Sequence, residues 1–517
     1  MNISDWNLQY IGCAIALFLL CLYLHRRWPG YQHSMPLPPG PSPLPLIGNV
    51  HQLPKHYLYT AFMKWANDYG GIFYLRIFQK KVIVLSSAQA VRDLLDGRSM
   101  RYSDRPQFIL VQNLLGWSDS VPFLPYGEQW LMHRKWYQTA FMNKQALDGY
   151  RQPQRREVNI LLRRLFEKPD EFLAHIKRFF ASLVMEIAYG HTATSSDDEF
   201  IQLADLAMSA TAELSNSAAA LVDFIPSLRH IPTWMPGSHF KRKALKVQCL
   251  IRDMYEIPAK NVQREMALGR VRPSFLSTLL EQINATEDDA SEYMTNNAKA
   301  AAAILYGAVT DTTSTTIANF IIAMLFYPEV LKKAQAEMDL VVGAGRLPNF
   351  EDRNSLPFLE CVLQEVYRWL PVVPLGVPHQ TTDDDEYRGY FIPRGTMIIA
   401  NIQSISRDPV LFPDPEVFRP ERYQEMDEAT AQLANPRWMT FGFGRRICPG
   451  NKLGDSSVWL VIANIIAAFD IREAHNAIGQ AITPSISFRS GLVSHPEPFQ
   501  CDIRPRSARI AEMLASL

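Results

Sequence analysis

The chain has 517 residues, with 52 Lys and Arg against 52 Asp and Glu, so its formal net charge is zero. That balance excludes bulk electrostatic attraction to nucleic acid, and 47% hydrophobic with 20% charged residues excludes a disordered chain. Six cysteines without a C-x-x-C pair fit neither a disulfide scaffold nor a zinc ribbon.

From Leu8 to Leu24 the run LQYIGCAIALFLLCLYL carries no charge, and as a helix it spans roughly 25 Å against a ~30 Å hydrocarbon core. Asp5 precedes it, His25, Arg26 and Arg27 follow it, and Trp6 and Trp28 flank it. Positive charge after the run argues for a retained anchor over residues 1–27, with the remainder of the chain in the cytosol. Residues 28–45 include six prolines between Pro36 and Pro45; this composition stops a helix and makes a stiff spacer. Beyond it no repeat or second linker interrupts residues 46–517, which read as one unit.

The runs Ile72 to Ile77 and Val82 to Leu85 are apolar and β-branched, and the QKK between them predicts a hairpin. Thr396 to Ala400 is expected to join the same sheet. The longest helical pattern covers Ser291 to Phe326, with Glu287, Asp288, Asp289 and Glu292 at its positive end and Pro328 after its last turn. At about 50 Å it crosses a whole domain. A second helix runs from Pro357 to Leu370, preceded by Asn354 and Ser355 and closed by Pro371, and a third follows Gly450. The fold class expected is mainly α with a small β-rich lobe.

The segment Phe441 to Gly450, FGFGRRICPG, sets one cysteine among glycines and arginines at the start of an apolar helix. A thiolate that ligates haem iron needs its charge stabilised, and amide N–H groups of a glycine-rich loop at a helix N-terminus supply this without a bulky side chain. Gly442, Gly444 and Gly450 surround Cys448 in this way, and the planar fork of Arg446 suits a haem propionate. Cys249, Cys361 and Cys501 have no such setting and read as small apolar residues.

The pattern F-x-x-G-x-R-x-C-x-G (Phe441, Gly444, Arg446, Cys448, Gly450) resembles the cytochrome P-450 superfamily of haem-thiolate monooxygenases. The resemblance runs from the PPGP at Pro38 to Pro41 to the C-terminus, and implies that fold, preceded here by a single N-terminal transmembrane helix in the endoplasmic reticulum membrane. It makes Cys448 the axial ligand of haem b. It implies a buried cluster of Glu365 and Arg368 from an E-x-x-R helix with Arg422 from Pro420-Glu421-Arg422-Tyr423, holding the cysteine loop. Trp130 and Arg134 match W-x-x-x-R, and they and His379 are expected at the haem propionates. The run Ala308-Val309-Thr310-Asp311-Thr312-Thr313 resembles the oxygen-activation motif and assigns Asp311 and Thr312 to proton delivery, with Val309 replacing the family's glycine.

The wording of GVPHQTTDDDEYRGYFIPRGT and PFLECVLQEVYRW is most similar to fungal microsomal members of secondary metabolism, the O-methylsterigmatocystin oxidoreductase group. The activity implied is insertion of one atom of O2 into a lipophilic terpenoid, polyketide or aromatic compound. No G-x-G-x-x-G turn is present, so electrons are expected from NADPH through a separate cytochrome P-450 reductase, with a cytochrome b-type protein as a further donor. His133, Arg134, Lys135, Lys144 and Arg445 are the candidate docking cations. Met100 to Pro125, Phe200 to Met266, Val372 to Gly376 and Ile486 to Val493 are expected to line or cover the pocket. Two alternatives stay open: a haem-thiolate isomerase or dehydratase acting on a peroxide without a reductase, and a non-catalytic haem-binding membrane protein.

Overall fold

The computed structural model describes residues 35–193, 197–216, 218–285, 291–476, 478–482 and 486–517. The anchor expected over 1–27, the first part of the spacer, and Glu287, Asp288 and Asp289 lie outside them. Among the described residues no single helix is long and apolar enough to cross a membrane.

Helix α1 (Leu58–Tyr69) packs beside the hairpin of β1 (Ile72–Ile77) and β2 (Lys80–Leu85). Helices α2 (Glu128–Phe141), α3 (Lys144–Glu167), α4 (Phe172–Tyr189), α5 (Glu199–Ser215), α6 (His239–Ala267) and α7 (Phe275–Asn284) follow. They lead to α8 (Ser291–Phe326), which at 36 residues is about 54 Å long. Tyr327 and Pro328 break the chain into α9 (Pro328–Val341), and a first-turn proline also opens α10 (Pro357–Trp369).

Strands β3 (His379–Gln380), β4 (Asp385–Tyr387), β5 (Tyr390–Ile392) and β6 (Met397–Ala400) precede α11 (Asn451–Ala468). The chain closes with β7 (Phe469–His475), β8 (Ala481–Ile482), β9 (Cys501–Pro505) and α12 (Ala508–Ala515).

The sheet order β1-β2-β6-β3 puts the Met397–Ala400 strand on the hairpin, parallel to β2 with Val82 opposite Met397. Strand alternation divides its side chains between two apolar clusters. Ile83, Leu85, Ile398 and Ala400 pack on one face, and Val82, Val84, Phe73 and Met397 on the other. A sheet buried on both faces explains the unbroken VIVL run.

The third and largest cluster surrounds α8, which touches α4, α7, α9, α10 and α11. Ala298, Ala301 and Ala302 on α8 are buried, and the Tyr137 hydroxyl donates to the Ala301 carbonyl at 2.8 Å. Small side chains there let neighbouring helices approach closely. The sheet β8-β7-β9 at the C-terminus was not expected from sequence. Phe469–His475 is rich in charge, and its long pairing is with a segment some 30 positions away, so no local hairpin pattern marks it.

Candidate active site

The cysteine loop is held at both ends by its backbone. The Cys448 amide donates to the Phe441 carbonyl at 2.7 Å, and Gly450 is the residue from which α11 starts. Gly444 has φ +53°, and a Cβ there would lie 2.1 Å from the Leu95 carbonyl oxygen, so only glycine fits. Burial pushes the Cys448 thiol up from its ordinary value, while the Gly450 amide and the charge of Arg134 pull against that. A bound metal cation would overcome the remainder, since a coordinating thiol loses its proton.

Four basic side chains converge beside this loop. Arg446 donates to the carbonyls of Ser103 at 2.6 Å and Leu124 at 2.9 Å, with its guanidinium 4.6 Å from the Trp130 ring centre. Arg134 donates to the Ile447 carbonyl. Arg105 donates to the carbonyls of Val377 at 2.7 Å and Pro378 at 2.6 Å, and His379 Nδ1 lies 2.7 Å from the Tyr102 carbonyl. All four are buried, yet among the described residues none forms an ion pair with a carboxylate.

Burial lowers the Arg446 guanidinium to about 10, with Arg134 adding to the fall. Arg105 falls well below its usual range through burial and the nearby Arg446. Burial, then the charges of Arg105 and Arg446, drives His379 well below its ordinary value. The charge of Asp104 acts on Arg105 and Arg446 and offsets part of this, but buried cations are normally paired at contact distance, and this cluster lacks such partners. Two carboxylates on a planar group ligated by Cys448 would satisfy it, and the residues present therefore fit haem.

Helix α8 supplies the opposite wall. Residues Ala301 to Gly307 are buried, but Ala308 is exposed and Val309 and Thr312 are half-buried, so the helix borders open space at mid-length. The Thr312 hydroxyl donates to the Ala308 carbonyl at 2.7 Å. Thr313 donates to the Val309 carbonyl and is buried, with its methyl 4.0 Å from the position of a Cβ on Gly454. Val309 packs against the main cluster. Asp311 lies on another face, toward His495, Lys177 and Asp205; burial raises its carboxyl, and the first two pull it down.

Behind the loop, Glu365 holds both arginines of its cluster. Arg368 donates twice to its carboxylate at 2.8 Å, Arg422 donates at 3.1 Å, and the Tyr423 hydroxyl donates at 2.9 Å. All three charged side chains are fully buried. Arg368 also donates to the carbonyls of Ser406 and Pro415, and Arg422 to that of Pro413. The charged trio thereby ties α10 to the segment before the cysteine loop.

The structure thus brings Trp130, Arg134, His379, Arg446 and Cys448 together, and gathers Glu365, Arg368 and Arg422 behind them. Phe441 packs its ring 5.7 Å from that of Tyr367. Two of the expected docking cations are not on the surface. On α2 the residues Trp130, His133, Arg134, Tyr137 and Phe141 share the buried face by helical spacing, and His133 Nε2 lies 2.8 Å from Asn297 Oδ1. Lys135, Lys144 and Arg445 remain exposed. Sequence reading also missed Arg105, which resembles any loop arginine, and Asp96, which accepts from Gly444 N at 2.6 Å and Trp438 Nε1 at 2.6 Å. No local motif marks either residue.

Residues 38–503 match the family model described as Cytochrome P450. A Cytochrome P450 monooxygenase of Postia placenta is 44% identical over 503 residues, covering 96% of this chain and 95% of its own. A Cytochrome P450 monooxygenase of Coprinopsis cinerea is 37% identical, covering 99% and 97%. Tryptamine 4-monooxygenase of Psilocybe cyanescens is 35% identical, covering 93% and 95%. With the thiol loop, the unpaired cations and the open face of α8 in one site, the chain belongs to the cytochrome P450 family, haem monooxygenases that use O2 and take electrons from NADPH through a reductase.

Proposed function

We propose that this monooxygenase hydroxylates a lipophilic terpenoid, polyketide or aromatic compound in fungal secondary metabolism. The observation that carries the assignment of its centre is the cluster of Arg105, Arg134, Arg446 and His379, buried beside Cys448 with no ion pair among the described residues. An apolar substrate is supported by Phe108, Phe224 and Leu375. These come from three segments expected around the pocket and pack on one cluster. The fungal relatives, one named as a tryptamine 4-monooxygenase, agree with an aromatic member of this class.

Bound haem supplies the iron that activates O2, with a thiolate ligand favouring O–O cleavage. Cys448 is the residue that would hold the iron, the Gly450 amide would steady its sulfur, and the three arginines with His379 would hold the carboxylates. Glu365, Arg368 and Arg422 fix the loop from behind. On the open side Thr312 keeps its hydroxyl hydrogen on the Ala308 carbonyl, so its oxygen is free to accept from a water. Asp311, with a carboxyl raised by burial, can carry a proton toward that water.

The reductase would dock on Lys135, Lys144 and Arg445, and a cytochrome b-type donor could share that face. Residues 1–27 would anchor the chain in the endoplasmic reticulum membrane, 28–45 would act as spacer, and 46–517 would form the cytosolic catalytic domain. The test is expression with a reductase, feeding of such compounds and mass spectrometry for one added oxygen. In parallel, Cys448→Ala should abolish the thiolate-type band of the reduced carbon monoxide difference spectrum, while Cys249→Ala keeps it. A normal band in the Cys448 variant would overturn the centre.

A further inference from the structure

Five consecutive hydroxyl side chains, Thr312 to Thr316, lie on α8, and four of them close on their own helix. Thr312, Thr313, Ser314 and Thr316 donate to the carbonyls four residues back. Thr315 instead holds His495, with Oγ1 and Nδ1 2.8 Å apart. Thr315 is itself buried, and the imidazole is half-buried. Thr315 stands one turn beyond Asp311 on the same helix face, so the imidazole is fixed within electrostatic reach of that carboxylate, beyond ion-pair distance. Among the described residues Asp311 has no ion pair or side-chain hydrogen bond of its own.

The charged groups around Asp311 come from every neighbouring element. His495 comes from the segment before β9, Lys177 from α4 and Asp205 from α5, and all three act on Asp311. Asp205 is already occupied, 2.8 Å from Lys177 Nζ and accepting the Tyr306 hydroxyl at 2.7 Å. On the other side of the imidazole stands Arg489, whose amide donates to the His495 carbonyl at 2.7 Å. Lys177 and Asp205 satisfy each other, which leaves His495, among the described residues, as the neutralisable base facing Asp311 that is both anchored and open to solvent.

We propose that His495 is a positioning residue for proton delivery, held by Thr315 so that its imidazole returns a proton from solvent to Asp311 after each turnover. The proposal rests on the reading of Asp311 as a proton carrier. In each cycle the imidazolium passes one proton through an intervening water to the Asp311 carboxylate and the neutral ring takes one from solvent, so no oxidant or other reactant is required. Burial raises the Asp311 carboxyl and lowers the His495 imidazole, bringing their affinities for one proton together, as a transfer pair requires.

The test compares wild-type holoenzyme with His495→Gln, Thr315→Val and Asp311→Asn, all as the full chain with reductase. The first readout is the infrared carboxyl band that Asp311→Asn removes. In His495→Gln its titration midpoint should move upward by roughly half a pH unit or more, since a positive neighbour is lost. The second is product formed per NADPH between about pH 6 and pH 8. In His495→Gln it should fall about threefold or more at the alkaline end and recover toward the acid end, where water supplies protons faster. Thr315→Val should move both readouts in the same direction by less. An unmoved midpoint, or unchanged coupling in His495→Gln while Asp311→Asn uncouples, would overturn the role of His495 and leave Asp311 as carrier. Unchanged coupling in Asp311→Asn would remove the reading on which the proposal stands. A normal carbon monoxide spectrum in each variant shows that the fold is intact.

Discussion

The carboxylate of Asp96 accepts the Gly444 amide at 2.6 Å across 348 positions of sequence, and with its other oxygen takes Trp438 Nε1 at 2.6 Å. Asp96 lies in a single turn of π-helix, Arg92–Gly97, a widened turn often found at functional sites. The same turn presents the Leu95 carbonyl against which Gly444 packs. One side chain therefore pins the cysteine loop to a segment far away in sequence, within the core cluster that holds Leu94, Leu95 and Phe443.

Asp96→Ala leaves two donors without partners, at a cost of about 1–3 kcal/mol for each that stays buried. The expected outcome is a lower melting temperature and faster conversion of the carbon monoxide complex to its thiol-ligated form. Asp96→Asn keeps one acceptor oxygen and should fall between the two. Spectra followed over time for the three proteins give the comparison, and equal conversion rates would refute the pinning role.

Glu365→Ala strands Arg368 and Arg422 as buried, uncompensated charges. Breaking such a cluster from one side typically costs about 3–5 kcal/mol, a large part of the stability of a domain. Little soluble, haem-loaded protein is expected, whereas Glu365→Gln should retain some. Tyr423→Phe removes one hydroxyl from Glu365 and should cost only about 1 kcal/mol. Chemical denaturation of these variants ranks them.

Thr312→Ala should uncouple turnover: NADPH is still consumed, but more of it emerges as hydrogen peroxide. The neighbouring Thr313 is buried against α11 and should matter through packing, not through proton supply. Product and peroxide per NADPH in Thr312→Ala and Thr313→Ala separate the two. A loss of coupling at Thr313 alone would transfer the role there.

His133 is fully buried beside Asn297, and burial lowers its imidazole below the ordinary 6.5. The unfolded chain then binds a proton near pH 6.5 that the folded chain refuses. Stability is therefore complete above that value and declines as pH falls from 6.5 toward the lowered one, by up to about 1.4 kcal/mol per pH unit. His133→Gln should flatten that part of the melting temperature profile. An unchanged acid slope would show that other groups set it.

Legibility from sequence followed the range of the contacts. The cysteine loop is legible because its glycines, arginine and thiol act within ten consecutive residues, and Glu365 with Arg368 because they share one helical turn. Arg105 and Asp96 are invisible by the same measure: the partners that tie them to the site lie as far as 273 and 348 positions away, and neither sits in a pattern. The burial of His133 and Arg134 was available from the apolar spacing of α2, which puts them with Trp130 and Tyr137 and leaves Lys135 on the other face. Charge alone suggested a docking surface; periodicity corrects it. The C-terminal sheet escapes because its strands carry as much charge as a loop.

The unpaired cations around Arg105, Arg134 and Arg446 also bear on how the protein comes into being. Three guanidiniums packed together with no ion pair repel one another, and Asp104 offsets only part of that repulsion, so the bare chain is held below its full stability by its own active site. A dianionic ligand that binds only the folded form stabilises it by mass action, by about 2.7 kcal/mol when its free concentration is a hundred times its dissociation constant. Haem bound here would act as a counter-ion for folding as well as a reagent. In a cell short of porphyrin, such a chain would be lost to proteolysis before it accumulated as an inactive pool, and the amount of enzyme would track cofactor supply.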